Sequence, residues 1–282
     1  MQHNILRTII ISLVLSFTMA SKVCAVFGYG PGVGAAVARK WAKEGYAVAI
    51  MARSLDKLKV RTCTSRCYRL SKKLVCYIVF LLLLCTHAHS LTLQYFQNAE
   101  SEIANCKGYA CDVTKEEDIR AAVASIEKDL GPIDCMVYNA GNGVFKTWDQ
   151  IPLDDFEMGF RTNTKGLLAA VQLIAPKMTE RGSGSILITG ATASLRGKPF
   201  SAGFAPHKGS QRLLAQSLAR DLGPKGVHVG LFIIDGGIGE AGSDDESKLN
   251  PDHIADTYWH VATQPKSCWS FETEIRPSVE NW

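Results

Sequence analysis

A glycine-rich run, Gly28-Tyr29-Gly30-Pro31-Gly32-Val33-Gly34, follows directly on the apolar stretch Val23-Cys24-Ala25-Val26-Phe27 and leads into a helix-like run from Ala35 to Glu44. Strand, glycine turn and helix in that order bring bare backbone and the positive end of a helix to one point, which suits a nucleotide pyrophosphate. The spacing is Gly-x-x-x-Gly-x-Gly over Gly28, Gly32 and Gly34, with Val33 between the last two. Taken alone it is also the spacing of a plain tight turn between strand and helix. A second apolar strand, Ala47-Val48-Ala49-Ile50-Met51, follows in the right order and favours the nucleotide reading. With 282 residues, of which 46% are hydrophobic and 21% charged, the chain can bury one large core of doubly wound α/β type.

The formal charge of +4 is small for this length and the basic residues are scattered, so no stripe selects a nucleic acid partner. Asp244-Asp245-Glu246 reads as a solvated loop. The nine cysteines form no disulfide framework, and Cys63, Cys67, His87 and His89 fit no zinc spacing, so no metal site is expected.

Two segments interrupt the alternation of strands and helices. Residues 60–97 carry a basic stretch, Arg61 to Lys73, and then the apolar run Leu74 to Leu84, too short to span a bilayer comfortably and without an obvious place to bury in a finished α/β domain. Lys59-Val60-Arg61 can be encoded across a GT donor and Tyr95-Phe96-Gln97 as a pyrimidine tract ending in CAG, so the segment is expected to be an insertion of translated-intron origin. A lineage-specific insertion or a membrane-surface hairpin is the alternative. Removing it joins Lys59 to Asn98 and predicts one helix from Leu55 to Asn105. At the N-terminus, Ile9 to Phe17 after Arg7 resembles the apolar core of a secretory signal, whereas Met19-Ala20-Ser21-Lys22 offers a start just before the first strand. Residues 1–18 are thus expected to be a signal-like or non-native extension, and residues 19–282 a single cytoplasmic domain. The secretory pathway is the alternative location if residues 1–20 act as a signal. No membrane partner is expected.

Arg53, just past the second strand, stands where folds that prefer NAD place an acid for the ribose 2′-hydroxyl, and an arginine suits a 2′-phosphate instead. Tyr109-Ala110-Cys111-Asp112-Val113 reads as a third strand whose terminal Asp112 could face the adenine or merely serve a turn. Thr114 and Glu117 have the spacing of a capping box for a helix running to Leu130. The fourth strand, Asp134 to Tyr138, ends in the small residues Asn139-Ala140-Gly141, which would let a cofactor lie against backbone.

On these residues, together with Asn163 before Gly166 and Lys208 in the helix after the fifth strand, the chain resembles the short-chain dehydrogenase/reductase family over residues 22–59 and from 98 to about 240. The resemblance implies a Rossmann-like doubly wound parallel sheet with helices on both faces, NADP as cofactor with NAD as the alternative, and hydride transfer between the nicotinamide and a small carbonyl or alcohol. In the family a tyrosine is the general acid/base, a lysine lowers its pKa, a serine polarises the carbonyl and an asparagine holds a water relay. Asn163 and Lys208 match, Lys208 also being placed for the nicotinamide ribose hydroxyls. Phe204 stands at the tyrosine position and cannot exchange a proton. Ala191 stands at the serine position, with Thr192 or Ser194 as substitutes if the loop shifts. His207, one helical residue before Lys208, points about 100° from that face and reads as a surface or packing residue.

Pro206 is compatible with the first turn of a helix starting near Gly203, and from His207 to Leu222 that helix carries an apolar face of the kind this family uses to pair as a homodimer or homotetramer. After the sixth strand, Val227 to Ile234, comes Asp235-Gly236-Gly237-Ile238. Gly236 and Ile238 are expected beside the nicotinamide amide, and Asp235 replaces the family's usual proline. Gly239 to Leu249 is a candidate substrate lid, Pro251 to Thr263 a helix and Trp269 to Ile275 a last strand. The leading function is an NADP(H)-dependent oxidoreductase. The alternatives are a catalytically silent NADP(H)-binding sensor or complex subunit, and a misspliced product that does not fold stably.

Overall fold

Strands buried on both faces must be apolar almost without interruption, and five of the strands here are. The computed structural model describes residues 21–53 and 103–281. In chain order its strands are β1 (Val23–Phe27), β2 (Ala47–Ala52), β3 (Cys106–Ala110), β4 (Ile133–Tyr138), β5 (Gly184–Thr189), β6 (Val227–Ile234) and β7 (Glu272–Ile275). They form one seven-stranded sheet in the order β3-β2-β1-β4-β5-β6-β7, and every pairing is parallel. The helices are α1 (Val33–Lys43), α2 (Glu116–Asp129), α3 (Leu153–Phe160), α4 (Gly166–Glu180), α5 (Ala205–Leu222) and α6 (Pro251–Ala262).

Period-two alternation divides each strand between two cores. Val23, Ala25 and Phe27 join Met51, Tyr138, Leu167 and Ile188 in one cluster, covered by α2, α4 and α5. Cys24 and Val26 join Val48, Val137, Phe232 and Tyr258 in the other, closed by Val37 and Trp41 of α1 and Ile254 of α6. This is the expected doubly wound sheet with helices on both faces. The chain runs outward from β1 through β2 to β3, then returns to place β4 on the other side of β1. The crevice that opens beyond the C-terminal ends of β1 and β4 is where such sheets bind ligands.

Several sequence expectations need correction. The third strand ends at Ala110, so Asp112 and Val113 lie in the following turn. The capping box does not form: α2 begins at Glu116, its N-cap is Lys115 without a side-chain bond, and the Thr114 hydroxyl donates to Asp112 Oδ1 at 2.8 Å. Residues 103–105, expected at the end of a helix, form a turn in which Asn105 takes a left-handed φ of 54° before β3, and the rest of that expected helix lies outside the described residues. The last strand pairs only over Glu272–Ile275, while Trp269 leaves the sheet to stack on His228 at 4.6 Å. The expectations for residues 1–18 and 60–97 lie outside the described residues. Among the described residues no helix is long and apolar enough to cross a membrane.

Candidate active site

The glycine turn is shaped first by its neighbours in the chain. Gly28 has φ +85°, and a Cβ there would sit 2.4 Å from Ala140 N, so only glycine lets the loops after β1 and β4 meet. Gly34 is similarly tight, 2.9 Å from Gly28 O, and allows α1 to pack on the turn. Gly32 is different. It is the N-cap of α1, and a Cβ there would meet only Ile238 Cγ2, at 4.0 Å. Gly30 faces open space. The first turn of α1 carries no acidic residue, and no side chain caps it. Gly32, Val33 and Ile238, three of the expected cofactor residues, therefore converge at one edge of the crevice. Arg53 is exposed just beyond β2, whose Met51 carbonyl accepts hydrogen bonds from the Gly28 and Tyr29 amides.

Asn139 ties the crevice together. Its Nδ2 donates to Gly28 O at 2.9 Å, and its Oδ1 accepts from the Thr189 hydroxyl at 2.9 Å. The Tyr258 hydroxyl of α6 in turn donates to Thr189 Oγ1 at 2.9 Å. Asp112, expected near the adenine, spends one carboxylate oxygen on the Thr114 amide and hydroxyl. Val113 is buried, with its carbonyl against Gly166, where a Cβ would come within 2.4 Å.

Asn163 lies in a π-type turn, Arg161–Lys165, that joins α3 to α4 without a break. The wide turn leaves carbonyls to be satisfied, and Asn163 Nδ2 donates to Gly159 O at 2.8 Å and to Asn142 O. Its Oδ1 is buried without a hydrogen-bond partner among the described residues. A Cβ built on Gly141 would meet that oxygen at 3.4 Å and Lys208 Nζ at 3.6 Å, so both polar atoms face the same spot. Lys208 is buried in α5, where its ammonium donates to Thr189 O and to Gln211 Oε1, each at 2.9 Å. Gln211 Nε2 donates to Asn163 O at 3.0 Å. Gln211 was not among the residues expected from the sequence, although its spacing of three from Lys208 puts both on one helix face. The signal was its register on the buried stripe.

Phe204 is the N-cap of α5, and its ring packs against Phe145 with centroids 5.0 Å apart. The ring fills the place of a Gly143 side chain, and Lys208 Nζ lies 5.8 Å from its centroid. Ala191 precedes a short turn, Thr192–Ser194, in which the Thr192 hydroxyl donates to Ile234 O at 3.3 Å. Ser194 Oγ has no partner among the described residues. His207 is buried against Phe156, with ring centroids 4.4 Å apart, and against Gly159, as a packing histidine should be. Asp235 is buried between Arg196 Nη2 at 3.5 Å and Arg276 Nη2 at 3.4 Å, so ion pairs stand where the family has a proline ring. Gly236 takes φ +132° under Pro277.

Burial pushes the Lys208 ammonium down to about 7 from 10.5. Between those limits the unfolded chain binds the extra proton, so stability should rise with pH above 7. Denaturant melts of the unaltered protein are expected to show a gain of up to about 1.4 kcal/mol per unit from pH 7 to 8.5. The slope should disappear in Lys208→Met, and a flat profile in the unaltered protein would contradict the burial of this amine. Beyond that window the buried Cys24 and Cys111, whose thiols burial pushes up, act in the opposite sense.

Comparison with known proteins agrees with this geometry. A family model described as short chain dehydrogenase matches residues 68–238. The chain is 27% identical over 208 residues to the 3-oxoacyl-[acyl-carrier-protein] reductase of Mus musculus, a match covering 74% of this chain and 72% of that protein. Among solved structures it is similar to a short-chain dehydrogenase from Rhodopseudomonas palustris, with TM-score 0.67 and 27% identity over 91% of this chain and 98% of that one. It shares its fold with an alcohol dehydrogenase from the archaeon Thermococcus sibiricus complexed with 5-hydroxy-NADP, with TM-score 0.69 and 22% identity over 93% and 98% of the two chains. A family match over more than half of the sequence, on a fold whose crevice sits at the predicted glycine turn, places the chain in the short-chain dehydrogenase family, oxidoreductases that bind nicotinamide cofactors and act on small substrates.

Proposed function

We propose that the protein is an NADP(H)-dependent oxidoreductase acting on a small carbonyl or alcohol. The observation that carries this reading is the buried pair formed by Lys208 Nζ and the unpartnered Asn163 Oδ1, both turned toward Gly141 at the mouth of the crevice. A buried amine and an orphaned amide oxygen are costly to keep unless a polar ligand meets them. The residues present fit a dinucleotide. Gly30, Gly32 and Val33 would receive the pyrophosphate, Asn139, Ala140 and Gly141 would line its path, and Asp112 and Val113 would border the adenine. Gly236 and Ile238 would flank the nicotinamide, and Lys208 would hold its ribose hydroxyls. When bound, the nicotinamide supplies or accepts the hydride. Thr192 and Ser194 offer hydroxyls near the serine position for the substrate carbonyl, and Phe204 gives its apolar face without a proton. Among the described residues, the thiols of Cys24, Cys111, Cys135 and Cys268 are in no disulfide, which suits a reducing, cytoplasmic setting. Leu213, 63% exposed on α5, suits a homodimer or homotetramer.

The test is NADPH and NADH oxidation with a panel of aldehydes and ketones. Turnover supports the reading, whereas nucleotide binding without turnover across the panel would leave a silent binder. Arg53 carries the cofactor preference. Arg53→Asp is expected to weaken NADPH binding by about 10–100-fold, the worth of one or two charge-assisted hydrogen bonds, while sparing NADH. Titration calorimetry with both nucleotides measures it, and an equal loss for the two would remove Arg53 from the 2′-phosphate.

A further inference from the structure

Gln211 is fully buried, and both ends of its side-chain amide are used. Its oxygen accepts from Lys208 Nζ at 2.9 Å, and its nitrogen donates to the Asn163 carbonyl at 3.0 Å. It thus bridges the Lys208 amine and the backbone of Asn163, the residue at which the resemblance places a water relay. A carboxamide resembles water in accepting and donating at once. It differs in having fixed ends and in passing no proton along. We infer that Gln211 is a positioning residue that locks the Lys208 amine to the Asn163 backbone and takes, within this chain, the place of the relay between them. The inference deepens the hydride-transfer reading and rests on it.

Three features make the bridge more than packing. Lys208 has two of its donors committed, one to Thr189 O and one to Gln211, which leaves one for a ligand on the Gly141 side. The hydrogen bond to Gln211 favours the charged amine, and burial of Lys208 opposes it. Finally, Phe204 offers no proton at the tyrosine position on the same helix, so neither it nor Gln211 can titrate beside the amine. The groups packed around the amine are few. Along α5 they are Phe204 and Gln211, from the π-type turn Asn163, and from the end of β5 Thr189, backed by Tyr258 of α6. Among the described residues no ion pair involves Lys208, so Gln211 is its one polar side-chain partner there.

The experiment follows the Lys208 titration in the nucleotide-free protein by carbon-13 NMR of its ε-methylene, assigned through Lys208→Arg. It compares the unaltered protein with Gln211→Met, which keeps length and volume, and with Gln211→Glu, which puts a carboxylate against the amine. The midpoint is expected to fall by about one pH unit in Gln211→Met and to rise by about 1–3 units in Gln211→Glu. NADPH affinity, measured against pH, should follow the same order, with about a fivefold weaker Kd for Gln211→Met at pH 7. Midpoints unchanged in both folded variants would overturn the inference and leave Gln211 a packing residue. If Gln211→Met fails to fold, the shift in Gln211→Glu decides. Because the titration needs no nucleotide, its outcome stands apart from the hydride-transfer reading, which fails if the unaltered protein binds neither NADPH nor NADH.

Discussion

Phe204→Tyr is expected to raise kcat for carbonyl reduction by about 10²–10⁴-fold, the usual worth of a positioned general acid. The backbone is already suited to it. Phe204 caps α5 with its ring toward Gly143 and Phe145, and Lys208 Nζ lies 5.8 Å from the ring centroid, close enough to favour an ionised phenol. The change adds one hydroxyl at the crevice, so nucleotide affinity and the unfolding midpoint should barely move. Steady-state kinetics with NADPH and the best carbonyl substrate provide the comparison. A kcat within twofold of the unaltered protein would show that the proton reaches the substrate from elsewhere, with Ser194 as the first place to look.

Gly28→Ala is expected to cost about 3 kcal/mol or more in stability and to abolish tight nucleotide binding. Two penalties add. The φ of +85° is strained for any residue with a Cβ, and that Cβ would lie 2.4 Å from Ala140 N and 2.5 Å from Ala140 Cα. Backbone cannot swing aside as a side-chain tip would, so the loops after β1 and β4 must part. Gly30→Ala is the control, since nothing lies within 4 Å of its Cβ position. Its unfolding midpoint should remain near that of the unaltered protein. Equal midpoints for all three proteins would show that the crevice does not depend on this approach.

The strands were legible wherever burial on both faces forced a nearly unbroken apolar run. Val23–Phe27, Ala47–Ala52, Ile133–Tyr138 and Val227–Ile234 announce themselves in this way. β3 did not, because it is an edge strand with Lys107 and Gly108 inside it, while the buried Cys111 and Val113 lie just past its end and draw the apolar signal downstream. Thr114 and Glu117 had the spacing of a cap, but a nearer acceptor, Asp112 Oδ1, captured the hydroxyl. Among the expected site residues, Asn163, Gly141 and Lys208 were found by their order in the chain and do converge. Gln211 was not found, because the buried side of a polar helix residue depends on what lies across from it, here the carbonyl of Asn163, 48 positions away in sequence.

Thr189 bears on how this protein can diverge. Its carbonyl receives Lys208, its hydroxyl gives to Asn139, and the same oxygen takes the proton of Tyr258. Valine at this position would keep the shape and the carbonyl yet strand Tyr258 and Asn139. Serine alone keeps the hydroxyl, but it lacks the branched stiffness of a strand residue. The substitution tolerance of the crevice around Gly28 and Asn139 is therefore narrow, and it is set by a side chain at the end of β5. The exposed side chains of Phe145, Leu195 and Phe200 are under no comparable obligation, so substitutions among close relatives should collect there while Thr189 stays fixed.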